Sequence, residues 1–66
     1  MSLNERLIEQ FAPMLEASKN VATVRSVILM SLEAAITAIE GTVVVSRATI
    51  FAGVGTTMEE VGNACK

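Results

Sequence analysis

From Val21 to Glu40 the chain reads VATVRSVILMSLEAAITAIE, an almost unbroken run of small and apolar side chains. The run is too long for an ordinary strand and, with Arg25, Glu33 and Glu40 inside it, too charged for an easy membrane span. It predicts a helix. At the helical period, Val21, Val24, Ile28, Leu32, Ala35 and Ile39 fall on a stripe with alternating spacings of three and four, the seam that a partner helix would occupy. Arg25, Ser26, Glu33, Thr37 and Glu40 are expected opposite that seam. Leu29 and Ile36 edge their sector, however, and Val27, Ala34 and Ala38 widen the apolar arc past half the circumference. One neighbouring helix cannot cover such an arc. A chain of 66 residues has little else to cover it with, because small chains bury a smaller fraction of their surface and are marginal alone. The expectation is therefore a fold stable only as an oligomer, with copies of itself as partners.

The apolar fraction is 52%, yet the aromatics are two Phe with no Tyr or Trp, so the core must be built from Val, Ile, Leu, Met and Ala. Such residues suit helices lying side by side in one domain spanning residues 1–66. The absence of His removes the usual general base and the commonest metal ligand, and no cofactor or metal is expected. Five basic against seven acidic residues give a net charge of −2, with no cluster of Lys and Arg to neutralise phosphates, so nucleic acid is disfavoured as a partner. Cys65, the single cysteine, has no His to act as its base and is read as a terminal thiol, able at most to bridge two copies in an oxidising compartment. Ser2, Asn4 and Glu5 stand where a cleavable leader would carry positive charge, so none is expected; the compartment is otherwise open, cytoplasmic or reached by export without a leader.

Along the chain, Ser2-Leu3-Asn4-Glu5 has the spacing of a capping box and opens a first helix with Leu3, Leu7, Ile8, Phe11, Met14 and Leu15 as its apolar stripe. Pro13 removes the amide that would bond to the Glu9 carbonyl and predicts a kink or a restart near Ala12 and Pro13. Ser18-Lys19-Asn20 is the polar break, with Asn20 as N-cap of the long helix, and so short a connection predicts a helical hairpin. Gly41 stands where a C-cap glycine belongs. Thr42 to Phe51, TVVVSRATIF, is dense in β-branched residues and is readable as strand or helix; helix is favoured, because a lone strand needs an intermolecular sheet. In either state Val43, Ile50 and Phe51 add to the surface expected to self-associate. Gly53-Val54-Gly55 reads as a flexible corner. Thr56 with Glu59, or Thr57 with Glu60, then opens a short helix from about Met58 toward Asn63.

Motifs with a possible chemistry are few. Glu33 and Glu40 share a helical face and Glu59 and Glu60 are neighbours, but a solvated stripe and a favourable helix N-terminus account for them. If the long helix is buried in an assembly, Arg25, Glu33, Glu40 and Arg47 become the inter-subunit ion pairs that set register. Gly53-Val54-Gly55-Thr56-Thr57 has two glycines before a hydroxyl residue, as in a phosphate-cradling loop, but lacks the lysine and the full spacing. Val45-Ser46-Arg47-Ala48-Thr49-Ile50-Phe51 resembles the start of a recognition helix in helix-turn-helix repressors, in which a Ser caps the helix and the following residues face the major groove. That resemblance implies a dimeric DNA-binding regulator with Arg47 as reading residue. It covers seven residues and departs at Val44, where such motifs carry a turn glycine.

The resulting expectation is an all-α protein with a kinked first helix, a long apolar second helix and a third helical or strand-like segment. Its expected role is a self-assembling structural subunit of a filament, rod, tube or coat. A small membrane-associated oligomer comes second, a helix-turn-helix regulator third, and enzymatic activity is not expected.

Overall fold

The capping box forms as its spacing predicts: the Ser2 amide donates to Glu5 Oε1 at 3.3 Å and the Glu5 amide donates to Ser2 Oγ at 3.1 Å. From this start the computed structural model, which describes residues 2–66, runs through four helices with no strand among the described residues. They are α1 (Leu3–Ala17), α2 (Ala22–Glu40), α3 (Arg47–Val54) and α4 (Met58–Ala64). Helix α1 packs chiefly on α3 and also against α2, while α2 packs on α4.

Helix α1 does not restart at Pro13; the proline lies inside a continuous helix. Pro13 and Glu9 are both exposed, so the carbonyl that loses its partner lies on the side of the helix that water reaches. Inward, Leu7, Phe11 and Leu15 recur at every fourth position and are buried, whereas Met14, expected in the same stripe, is exposed.

The start of α2 differs from expectation by one residue. The Ser18 hydroxyl donates to the Leu15 carbonyl and the Val21 amide donates to the Ser18 carbonyl at 2.9 Å, closing a tight turn that contains Asn20. Val21 becomes the N-cap, and it has no side-chain oxygen to give the helix. Gly41 is the C-cap as expected, but with φ −75° and ψ −16°, in the right-handed region.

The β-rich segment divides. Thr42 to Val45 form the connection, Ser46 caps α3 by accepting from the Thr49 amide at 3.3 Å, and Ile50 and Phe51 enter the helix as buried core residues. No strand exists for Val43 to Val45 to pair with among the described residues, and the buried cluster takes Ile50 and Phe51 from a helix as well as it would from a strand. The Ser46 amide also donates to Asn4 Oδ1 at 3.1 Å, tying the connection to the first turn of α1.

Gly53 and Val54 are not a corner but the last residues of α3. A Cβ at Gly53 would fall 2.5 Å from Ile8 Cδ1 and 2.8 Å from Ile8 Cγ1, so the glycine lets α1 and α3 approach closely. Gly55 is the turning point. At φ 84° it adopts the left-handed cap conformation, its amide donates to Ala52 and that of Thr56 donates to Phe51 at 2.9 Å, a Schellman ending. Helix α4 then starts at the Thr57 cap, whose hydroxyl accepts from the Glu60 amide at 3.0 Å.

The core comprises Leu7, Phe11, Leu15, Leu29, Leu32, Ile36, Ile50, Phe51, Val54 and Val61. The Cα envelope measures 33 × 25 × 15 Å, and its short dimension leaves room for two helix layers about 8–10 Å apart. Every helix keeps an outward side, and the character of that side on α2 decides what the molecule can do.

Candidate functional site: the uncovered face of the long helix

The charged side chains of α2 are all held by partners on α3 or α4. Arg25 forms a two-pronged pair with Glu60 of α4, Nε to Oε2 at 2.8 Å and Nη2 to Oε1 at 2.9 Å, and Nη2 also donates to the Gly55 carbonyl at 3.3 Å. The hydroxyl of buried Thr56 donates to the same carboxylate. The Arg25 hydrogen bonds first, and the Thr56 hydroxyl second, hold the Glu60 carboxyl down to about 2 against the opposing effect of burial. At the other end of α2, Arg47 of α3 grips Glu40 through Nε at 3.1 Å and Nη2 at 2.7 Å. It also reaches Glu33 at 3.4 Å and the Thr37 hydroxyl at 3.1 Å, and that hydroxyl donates to Glu33 Oε1 at 2.9 Å. The Glu40 carboxyl is held below its ordinary value, above all by its hydrogen bond from Arg47. Arg47 is raised in turn, again chiefly through Glu40.

These contacts assign the four charged residues differently from the inter-subunit pairs expected of them. Arg47 meets Glu33 and Glu40 within one chain, and Arg25 meets Glu60, which sequence reasoning had not joined to it. The Thr57–Glu60 spacing had signalled only a capping box. Thr57 does cap the Glu60 amide, but the Glu60 carboxylate turns away to Arg25 instead of back to the helix start.

The apolar residues are redistributed as well. Leu32, Ile50 and Phe51, expected at a self-association surface, are 0%, 0% and 2% exposed and belong to the core of the single chain. Ile28 and Ile39 are half-buried and packed against that core, and Ala35 is half-buried. Val21, Val24 and Val43 are exposed. Helix α2 turns Leu29, Leu32 and Ile36 inward, with Arg25, Glu33 and Glu40 flanking them toward α4 and α3. What remains outward is Thr23, Val24, Val27, Met30, Ser31, Ala34, Thr37 and Ala38, all exposed and none charged. The outward face is thus not the polar one. Val27, which had only widened the arc, is 53% exposed at its centre. An ordinary surface helix has its charges in water and its apolar stripe inside; α2 has apolar residues on both sides and its charges between them.

Ser46 caps α3 as the helix-turn-helix resemblance implies, but the Arg47 guanidinium is closed by two carboxylates and does not project from the helix as a base reader would. The amides of Gly55 and Thr56, the ones a phosphate cradle would use, are occupied by the Schellman bonds. A groove of about 430 Å³ runs between Glu33, Arg47, Phe51, Met58, Val61, Gly62 and Cys65. A second hollow, of about 420 Å³, lies in the connection from Glu40 to Val45, where Val44 is completely exposed. No group of three His, Cys, Asp or Glu residues with metal-holding geometry occurs among the described residues, and Cys65 is a free, exposed thiol. By length and composition α2 is able to cross a membrane, with mean hydropathy 1.5, and only 17% of that stretch is buried in the fold.

Comparison with protein-family models, with curated proteins and with solved structures finds no match to this chain.

Proposed function

We propose that this chain is a self-assembling structural subunit, a component of a filament, rod, tube or coat, and that it associates through the outward face of α2. The observation that supports this reading is the uncharged strip from Thr23 to Ala38 on a helix of 19 residues, uncovered in a 66-residue chain. Exposed valines scattered singly need no explanation, but a contiguous uncharged strip on a helix whose charges are all paired within the chain is the kind of surface that is covered in the working state. At about 25 cal/mol per Å² of apolar surface, covering even a few hundred Å² contributes several kcal/mol before the cost of association. The α1–α2 pair acts in this reading as a helical hairpin, and the fold reaches its working stability only in the assembled state. No catalytic role is proposed; the charged side chains that meet between helices, Arg25 with Glu60 and Arg47 with Glu33 and Glu40, dock one helix on another.

A membrane-associated oligomer is the second reading, favoured by the hydropathy of α2. Full insertion of α2 would strip Arg25 from Glu60 and Arg47 from Glu33 and Glu40, and isolated charges in hydrocarbon cost several kcal/mol each. A DNA-binding regulator loses its support with the closure of Arg47. Light scattering of the purified chain in plain buffer and in mild detergent, with negative-stain microscopy of the same samples, separates these readings. Large or fibrous particles in buffer support the structural subunit, a defined oligomer in detergent alone supports the membrane reading, and a monomer under both conditions contradicts both.

A further inference from the structure

Resting on the self-association reading, we infer that the partner of the α2 face is a second copy of the same helix, antiparallel to it, with Ser31 on the two-fold axis. Along the midline of the outward face the residues are Val24, Val27, Ser31, Ala34 and Ala38, with Met30 and Thr37 at its edge and the Gly41 cap beyond. Side-chain bulk therefore falls from the N-terminal end to the C-terminal end, and Ser31 is the middle residue of Ala22–Glu40.

An antiparallel pair centred on Ser31 sets Val24 level with Ala38 and Val27 level with Ala35, one residue from Ala34, so that each valine meets the space left by an alanine. A parallel pair sets valine on valine and alanine on alanine, holding one end apart and leaving the other under-packed. It also aligns the two helix dipoles, which the antiparallel pair opposes. No charge on the strip has to be desolvated in either case, because Arg25, Glu33 and Glu40 are engaged within the chain. Ser31 carries no unmet demand to the axis, since its hydroxyl donates to the Val27 carbonyl at 3.0 Å.

Area sets the strength. A strip about 28 Å long and about 10 Å wide falls below the about 800 Å² per partner of a standard interface. The pair is consequently weak and concentration-dependent on its own, suited to a subunit that holds through repeated contacts.

Cysteine cross-linking reads the register directly, in a chain carrying Cys65→Ser so that the native thiol is silent. Three variants are compared under mild oxidation at high protein concentration: Ser31→Cys, Val24→Cys, and Val24→Cys with Ala38→Cys. Circular dichroism confirms that each is folded, and light scattering of the parent at the same concentration reports association. The antiparallel register predicts covalent dimer from Ser31→Cys and from the double variant, several-fold more than from Val24→Cys alone. Efficient dimer from Val24→Cys alone overturns it in favour of a parallel pair. Association by light scattering without cross-linking of Ser31→Cys overturns it while leaving self-association standing through another surface, whereas no association removes both. A fluorophore at Val27→Cys that shifts to the blue with phosphatidylcholine vesicles, and not with rising protein concentration, assigns the face to lipid and overturns the inference.

Discussion

Glu60 illustrates how much one side chain can join. It is capped at its amide by Thr57, hydrogen-bonded at its carboxylate by Thr56, and paired with Arg25, so that α2, the Gly55 turn and α4 meet on it. Its carboxyl lies lower in the folded chain, about 2, than the ordinary 4.5. A depressed carboxyl contributes stability that is fully present above the ordinary value and lost as pH falls toward the folded one. Thermal unfolding is therefore expected to shift to lower temperature between about pH 4.5 and pH 2, and Glu60→Gln to flatten that part of the profile. Because 40% of the side chain is exposed, solvent screening limits the effect at neutral pH to about 1 kcal/mol. Gly53 makes an opposite demand. Adding a methyl group there presses on Ile8, so Gly53→Ala is expected to destabilise by about 1 kcal/mol despite its better helix propensity, and Ile8→Val combined with it to recover part of the loss in chemical denaturation. Neither contact was legible in the sequence: an arginine and a glutamate 35 positions apart, or an isoleucine and a glycine on different helices, carry no local signal of their meeting.

Individual elements were more legible, wherever their determinants lie within a turn. The Ser2–Glu5 box, the Gly41 stop and the Thr57 cap are satisfied by residues two or three positions away, and the helices they delimit follow. Pro13 brings no restart of the helix, because its cost depends on whether water reaches the Glu9 carbonyl, a tertiary matter. The start of α2 was misread by one residue, since the Ser18 turn draws Asn20 into the connection. That leaves the longest helix without a side-chain cap. Val21→Ser gives the N-cap an acceptor for the first-turn amides and is expected to raise unfolding stability by about 1 kcal/mol, as a higher midpoint in thermal melts. Thr42 to Phe51 was ambiguous for a different reason: β-branched residues fit both a strand and the wall of a helical core, and only the presence or absence of a partner strand decides.

At the scale of the whole molecule, one chain fills its core with Leu32, Ile50 and Phe51, residues the hydropathy pattern had assigned to contacts between chains. Pattern alone marks a residue as apolar on a given side of a helix; it does not say whether its neighbour belongs to the same chain or to another. The distinction changes which substitutions are informative. Leu32→Asp buries a carboxylate in the core and is expected to unfold the chain, so loss of association in that variant would say nothing of an interface. Ala34→Asp, on the exposed face of α2, leaves the core and both arginine clamps untouched. Sedimentation velocity of the parent and of Ala34→Asp over a range of concentrations is the most direct measurement of what covers the long helix. The expected result is a parent whose mean mass rises with concentration and an Ala34→Asp chain that stays monomeric and helical. A parent that stays monomeric throughout, or an Ala34→Asp chain that associates as the parent does, would contradict the assignment of this face to self-assembly.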